Sequence, residues 1–223
     1  MPGGFSTIIL DYTGVYQEES FFPDDAIRAD FTSLEGTECF CDADSAAYIR
    51  KAIASMPAGA LHWIDTGDYH YSSLFWLEKV KEPFVLVLID MHPDDQPSAL
   101  AGDMLSCGSW VKDAARTLSM MKERIWVNGS SMVPDIPDLP VYLSIDLDVL
   151  CRCCARTNWD QGNMMTDQLK ALVRHIALSH KVIGVDVCGG ITISKGASGF
   201  DLQINRELRE ELQLFLVNLP NQD

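Results

Sequence analysis

The sequence is short of positive charge. Only 17 lysines and arginines stand against 32 aspartates and glutamates, giving a formal net charge of −15 over 223 residues. Neutralising a phosphate backbone needs clustered cations, and no Lys/Arg block is present, so nucleic acid is excluded as a partner. Long hydrophobic runs are also missing. The longest, Phe84 to Ile89, is strand-length and far below the ~18 residues a bilayer-crossing helix needs, so no membrane partner is expected. The N-terminal residues carry no basic segment followed by an apolar stretch, which reads as no secretory signal and a cytoplasmic location. The glycine-rich piece from Gly189 to Gly199 contains neither G-x-G-x-x-G nor G-K-[ST], so it makes no case for a nucleotide. Cysteine is not scarce, but its count of seven is odd. Without a signal peptide, Cys39 and Cys41, and likewise Cys151, Cys153 and Cys154, are expected as reduced, ordinary buried thiols rather than a soft-metal site.

What is present suits a full core: 47 % of the residues are apolar. Short β-rich runs alternate with helical segments. The strands are expected at Thr7–Asp11, Leu61–Thr66, Phe84–Asp90, Ile125–Asn128, Val141–Asp148 and Val182–Cys188, and the helices at Ser45–Ser55, Ser72–Lys81, Ser109–Met121, Thr166–Ser179 and Arg206–Leu219. The strands are almost continuously apolar, the pattern of strands covered on both faces. The alternation predicts an α/β fold, a three-layer α/β/α sandwich on a mostly parallel sheet, with residues 1–223 forming one domain.

Three polar clusters follow apolar strands: Thr66-Gly67-Asp68-Tyr69-His70, Asp90-Met91-His92-Pro93-Asp94 and Ser144-Ile145-Asp146-Leu147-Asp148. Open α/β sheets place their active sites at the carboxyl ends of strands. Alternate side chains of an extended chain share a side, so Asp90, His92 and Asp94 converge, as do Asp146 and Asp148. Gathering these carboxylates without a counterion would force protons onto them. Two divalent cations balance the four carboxylates, which makes His70, Asp90, His92, Asp94, Asp146 and Asp148 the expected metal ligands. Carboxylate-rich sites with a minority of imidazole suit Mn²⁺, two per chain. Paired ions activate a water for attack on a polarised carbon, so the chemistry expected is hydrolysis.

These motifs resemble those of the ureohydrolase superfamily, which includes arginase, agmatinase and formiminoglutamase and shares its fold with histone deacetylases. The family pattern G-G-D-H, D-A-H-x-D and S-x-D-x-D-x-x-D-P is similar to Gly67-Asp68-Tyr69-His70, Asp90-Met91-His92-Pro93-Asp94 and Ser144-Ile145-Asp146-Leu147-Asp148, in the same order. The resemblance implies an arginase/deacetylase-like fold and C–N bond hydrolysis of a guanidino- or amide-type substrate. It further implies that His70, Asp90, Asp94 and Asp146 hold one manganese and Asp90, His92, Asp146 and Asp148 the other. Asp90 and Asp146 would bridge, and Asp94 would act as the catalytic group that orients the attacking hydroxide.

This sequence also departs from the pattern. Tyr69 precedes the first histidine, and Cys151-Arg152 replaces the final Asp-Pro. The family's shuttle histidine corresponds to Cys107, and its guanidinium-gripping glutamate falls at Gly189 or Gly190, leaving Asp186 as the nearest acid in either a substrate-binding or a structural role. Asn158 and Asp160, in the loop after the third motif, complete the expected substrate contacts with Cys107 and Asp186. The five tryptophans read as core or loop anchors. A small-molecule or peptide substrate is expected, and the acidic surface favours a cationic one; a homo-oligomer is allowed. Two other readings stay open: an arginase-like metal-binding protein that has lost catalysis, and a zinc-dependent deacetylase of the same fold. The deacetylase reading lacks a tandem histidine pair, because only His62, His175 and His180 remain outside the cage.

Overall fold

The computed structural model describes residues 4–19, 21–97, 104–129 and 133–220. The main sheet contains β1 (Thr7–Asp11), β2 (Ile27–Asp30), β4 (Leu61–Ile64), β5 (Phe84–Ile89), β7 (Met121–Val127), β8 (Val141–Asp146) and β9 (Val182–Cys188). Its order is β2-β1-β4-β9-β8-β5-β7, and every neighbouring pair is parallel. A small antiparallel pair, β3 (Phe40–Cys41) with β6 (Leu105–Ser106), stands apart from it.

Helices cover both faces, as the apolar strands require. Period-two alternation divides β5: Val85, Val87 and Ile89 join one core with the apolar side of α5 (Thr166–Ser179) and α6 (Gly199–Leu216), through Leu172, Ile176, Leu208 and Leu212. Phe84, Leu86 and Leu88 point into the opposite core with α2 (Ala43–Ala52), α3 (Ser72–Leu77) and α4 (Trp110–Thr117), through Ile49, Phe75 and Val111. The short α1 (Val15–Glu18) follows β1. The expected three-layer α/β/α architecture is therefore the one observed.

The boundaries differ where elements lie at edges. β2 is almost wholly exposed, so its sequence Ile-Arg-Ala-Asp carries no buried-strand signal. β7 pairs only with β5, and its polar Lys122, Glu123 and Arg124 face outward; it therefore starts at Met121, where a helix end was expected, and α4 stops at Thr117. The last helix begins at Gly199 rather than Arg206. Ser198 caps it by accepting from the Asp201 amide, while the Asp201 carboxylate accepts from the Ser198 amide at 2.9 Å. The expectation of reduced thiols fails at Cys151 and Cys153, whose Cα atoms lie 5.4 Å apart and which form a disulfide; Cys39, Cys41, Cys107, Cys154 and Cys188 are free.

Candidate metal centre

The carboxyl ends of four adjacent strands, β4, β9, β8 and β5, build the site. β5 ends at Ile89 and delivers Asp90. β8 delivers Asp146 and turns into a single 3₁₀ turn, Leu147–Val149, that carries Asp148. β4 is followed by a second such turn, Gly67–Tyr69, and then His70. Asp146 caps its own turn, accepting from the Asp148 amide at 2.9 Å.

All six residues expected as metal ligands meet here. His70 Nδ1 lies 3.2 Å from Asp90 Oδ2, 3.0 Å from Asp94 Oδ2 and 3.6 Å from Asp146 Oδ2. His92 Nδ1 lies 2.9 Å from Asp148 Oδ2 and 3.8 Å from Asp90 Oδ1. Each oxygen of Asp90 thus faces a different histidine. Two groups with metal-ligand spacing share Asp90: His70 with Asp94, and His92 with Asp148. Asp146 and His70 form a further group with Cys188, whose Sγ is 3.0 Å from Asp146 Oδ2.

The outer partners fix orientation. Ser144 Oγ is 2.9 Å from His70 Nε2, which leaves Nδ1 facing the carboxylates. Trp110 donates its indole N–H to Asp94 Oδ2 at 2.7 Å, and the Met91 amide donates to Asp148 Oδ1 at 3.1 Å. Asp94 adopts a left-handed φ of 47°, a conformation aspartate tolerates better than most residues, and so turns its carboxylate back toward His70.

The electrostatics are those of crowded, buried carboxylates facing two imidazoles. Burial raises the Asp90 carboxyl well above its usual range, against the opposing pull of His70, and Asp146 and Asp94 add to the rise. Burial, reinforced by Asp148, pushes Asp146 up to about 7. Burial disfavours charged His70, but Asp90 and Asp94 outweigh it and hold its pKa well above the ordinary value. The hydrogen bond to Asp148 leads in raising His92 to about 9. Asp90 Oδ2 is buried and makes no hydrogen bond, although His70 Nδ1 is 3.2 Å away. A buried carboxylate oxygen so placed suits a cation.

A cavity of about 300 Å³ opens over the cluster, and its walls include Phe40, Gln96, Pro97, Cys107 and Trp159. Of the expected substrate contacts, Cys107 lines it. Burial raises the Cys107 thiol, with Cys39 and Asp94 adding to the shift, so it is protonated and cannot reproduce a histidine's proton transfer near neutral pH. Asn158 stands behind the wall, donating from Nδ2 to Asp68 Oδ2 at 2.9 Å. Asp160 is exposed and outside the lining. Asp186 is fully buried within the sheet, where Oδ1 accepts from Tyr142 at 2.7 Å and lies 2.8 Å from His62 Nδ1; of its two expected roles, the structure supports the structural one.

Other site residues escaped the sequence reading. Trp159 is a cavity wall rather than a mere anchor, held by an Nε1–H bond of 3.0 Å to Asp68 Oδ1. Asp68 also accepts from Cys39 Sγ at 3.3 Å, so this one buried carboxylate ties two walls together. Its position two residues before His70 was the available signal. Gly189 and Gly190 both have positive φ, 104° and 145°. A Cβ at Gly189 would sit 2.6 Å from Asp146 Oδ1, while one at Gly190 would collide with the Arg209 guanidinium. That guanidinium donates from Nη2 to the Gly189 carbonyl at 2.8 Å and pairs with Glu19.

The fold is the α/β fold of arginase-like and other ureohydrolase proteins of known structure. No family model matches the sequence. A Thermotoga maritima protein described as uncharacterized is 29 % identical over 196 residues, covering 81 % of this chain and 78 % of its own. Proclavaminate amidino hydrolase from Streptomyces clavuligerus superposes with a TM-score of 0.67 at 16 % identity, over 97 % of this chain and 93 % of that one. Formimidoylglutamase from Bacillus subtilis gives 0.63 at 12 % identity, over 95 % and 86 %. A T. brucei arginase-like protein, as a triple mutant bound with Mn²⁺, gives 0.61 at 13 % identity, over 98 % and 92 %. No helix among the described residues is long and apolar enough to cross a membrane.

Proposed function

We propose that this chain is a binuclear manganese hydrolase that cleaves a C–N bond of a guanidino- or amide-type substrate. The observation that carries the reading is Asp90: its two oxygens face separate histidine–carboxylate groups, the disposition of a ligand shared by two ions. His70, Asp90, Asp94 and Asp146 would hold one ion and Asp90, His92, Asp146 and Asp148 the other. When bound, such a pair supplies Lewis acidity and lowers the pKa of water toward neutrality.

The chain's own groups do the rest. Trp110 holds Asp94 Oδ2 in place, so that Asp94 can orient a water and take its proton. Ser144 keeps His70 turned toward the carboxylates. Trp159 and Phe40 wall the cavity, and the net charge of −15 draws a cationic substrate. The protein is proposed to act in the cytoplasm as one domain.

One observation favours a second reading, metal binding without turnover. At Gly189 or Gly190, where the family resemblance puts the guanidinium-gripping acid, the space a side chain would need is filled by Asp146 and Arg209. A single experiment separates the two. Protein loaded with Mn²⁺ is assayed for bound metal and for urea, formamide or ornithine release from arginine, agmatine, guanidinobutyrate, formiminoglutamate and arginine-containing peptides. About two Mn²⁺ per chain with turnover abolished in Asp146→Asn is expected. Well under one Mn²⁺ per chain sinks both readings, and two ions without turnover on any substrate leaves the second.

A further inference from the structure

Beyond the aspartate cage, the structure gathers a second group of ligand atoms of opposite chemical character. Three residues past Asp148, Cys151, Cys153 and Cys154 curl into a turn in which the Cys154 amide donates to the Cys151 carbonyl at 2.9 Å. The strand-like bridge Leu150–Met164 and the bond from the Cys151 amide to the Met164 carbonyl, 2.9 Å, bring Met165 alongside. Met165 is itself fixed as the N-cap of α5, where its amide donates to Gln168 Oε1 at 2.8 Å. Both arms of the cluster are therefore held by the backbone.

Apart from the Cys151–Cys153 disulfide itself, the sulfur separations already match those of a coordination shell. Cys154 Sγ lies 3.5 Å from Cys151 Sγ and 3.8 Å from Cys153 Sγ. Met165 Sδ lies 3.5 Å from Cys151 Sγ and 3.9 Å from Cys153 Sγ. Sulfurs placed tetrahedrally around an ion at about 2.3 Å stand about 3.8 Å apart. The three cysteine sulfurs meet the spacing of a metal-ligand group, and Cys151 and Cys154 are also spaced as C-x₂-C. Cys153 and Met165 are exposed, so an ion can reach the cluster from solvent.

We infer that Cys151, Cys153, Cys154 and Met165 form a binding site for a soft monovalent cation, Cu(I), available when the Cys151–Cys153 disulfide is reduced. Thiolates suit Cu(I) and Zn²⁺ alike, and the thioether of Met165 tips the set toward the softer Cu(I); a thioether is a poor ligand for the harder Mn²⁺. The aspartate cage makes the opposite selection with oxygen and imidazole, so the two sites sort ions by softness. Opening the site takes two electrons and two protons from a thiol reductant, which leaves as its own disulfide. Cu(I) then displaces the thiol protons into solvent, with no change in its oxidation state.

The test uses the full chain, reduced anaerobically with a phosphine, freed of reductant and titrated with Cu(I) against a chromophoric Cu(I) chelator. One Cu(I) per chain is withheld from the chelator, with copper–sulfur scattering alone in its X-ray absorption. Met165→Leu weakens that binding about ten-fold. Cys154→Ser abolishes it, and the exposed-site variant Cys153→Ser does the same should Cys154→Ser fold poorly. Unreduced protein withholds none. No Cu(I) withheld by the reduced protein, or wild-type Cu(I) uptake retained in both Cys153→Ser and Cys154→Ser, overturns the inference.

Discussion

Trp110 donates its indole N–H to Oδ2 of Asp94 over 2.7 Å, and the same oxygen stands 3.0 Å from His70 Nδ1. A fully buried residue of α4 thus sets the direction of a carboxylate whose own backbone is left-handed. Partners of this kind decide how well ligands hold a metal.

Trp110→Phe keeps most of the packing and removes only the donor. Metal affinity or turnover is expected to fall about 10–100-fold. Isothermal titration with Mn²⁺ and steady-state kinetics check it, with circular dichroism confirming the fold.

Ser144→Ala removes the partner of His70 Nε2, 2.9 Å away, and frees the ring to choose the other tautomer. A loss of metal affinity of about ten-fold is expected, with the site's pH dependence displaced. Wild-type affinity and pH profile in the variant would count against the orienting role.

Metal affinity is expected to rise with pH. Without metal, Asp146 titrates near about 7 and His92 near about 9, and both must lose their protons to coordinate. The metal-free protein follows the opposite course. Both values lie above the unfolded ones, about 3.9 and about 6.5, so the folded state binds more protons across that interval. Stability contributed by protonated His92 is present below about 6.5 and lost as pH rises through 9, while the Asp146 term declines from about 4 to about 7. Thermal melts with and without Mn²⁺ from pH 5 to pH 9 are expected to diverge as pH increases.

Gly189→Glu restores an acid in name only. With φ at 104° and a Cβ placed 2.6 Å from Asp146 Oδ1, the variant is expected to lose more than about 1 kcal/mol of stability and to bind metal more weakly. A lower Tm together with reduced Mn²⁺ occupancy is the result to look for.

Asp186→Ala removes the acceptor shared by Tyr142 and His62 in the sheet interior and leaves them only their mutual contact of 3.2 Å there. A cost of about 1–3 kcal/mol per unpaired buried group is expected, with KM for any substrate unchanged. A selective rise in KM at unchanged stability would return Asp186 to the substrate site.

The order of the three motifs and the apolar strands before them were enough to place Asp90, Asp146 and His70 at the ends of parallel strands, because buried strands and their polar caps are local patterns. Edge elements were not legible. β2 and β7 bury too little to show an apolar run, and α6 begins at a capping box within a glycine-rich stretch. The outer partners of the site were hidden for another reason: Trp110 to Asp94, Ser144 to His70 and Trp159 to Asp68 join residues 16, 74 and 91 positions apart.

From its sequence alone this chain specifies a parallel α/β sheet, an acidic surface and six residues of the right type for a metal cage, since hydrophobic periodicity and ligand chemistry are written residue by residue. Only the tertiary structure decides that Asp186 belongs to the core, that Trp159 forms a wall, that Arg209 stands where a side chain at Gly190 would go, and that four sulfurs meet beside α5. Those outcomes depend on which distant segments fold into contact and how little space remains between them, and no local pattern encodes either.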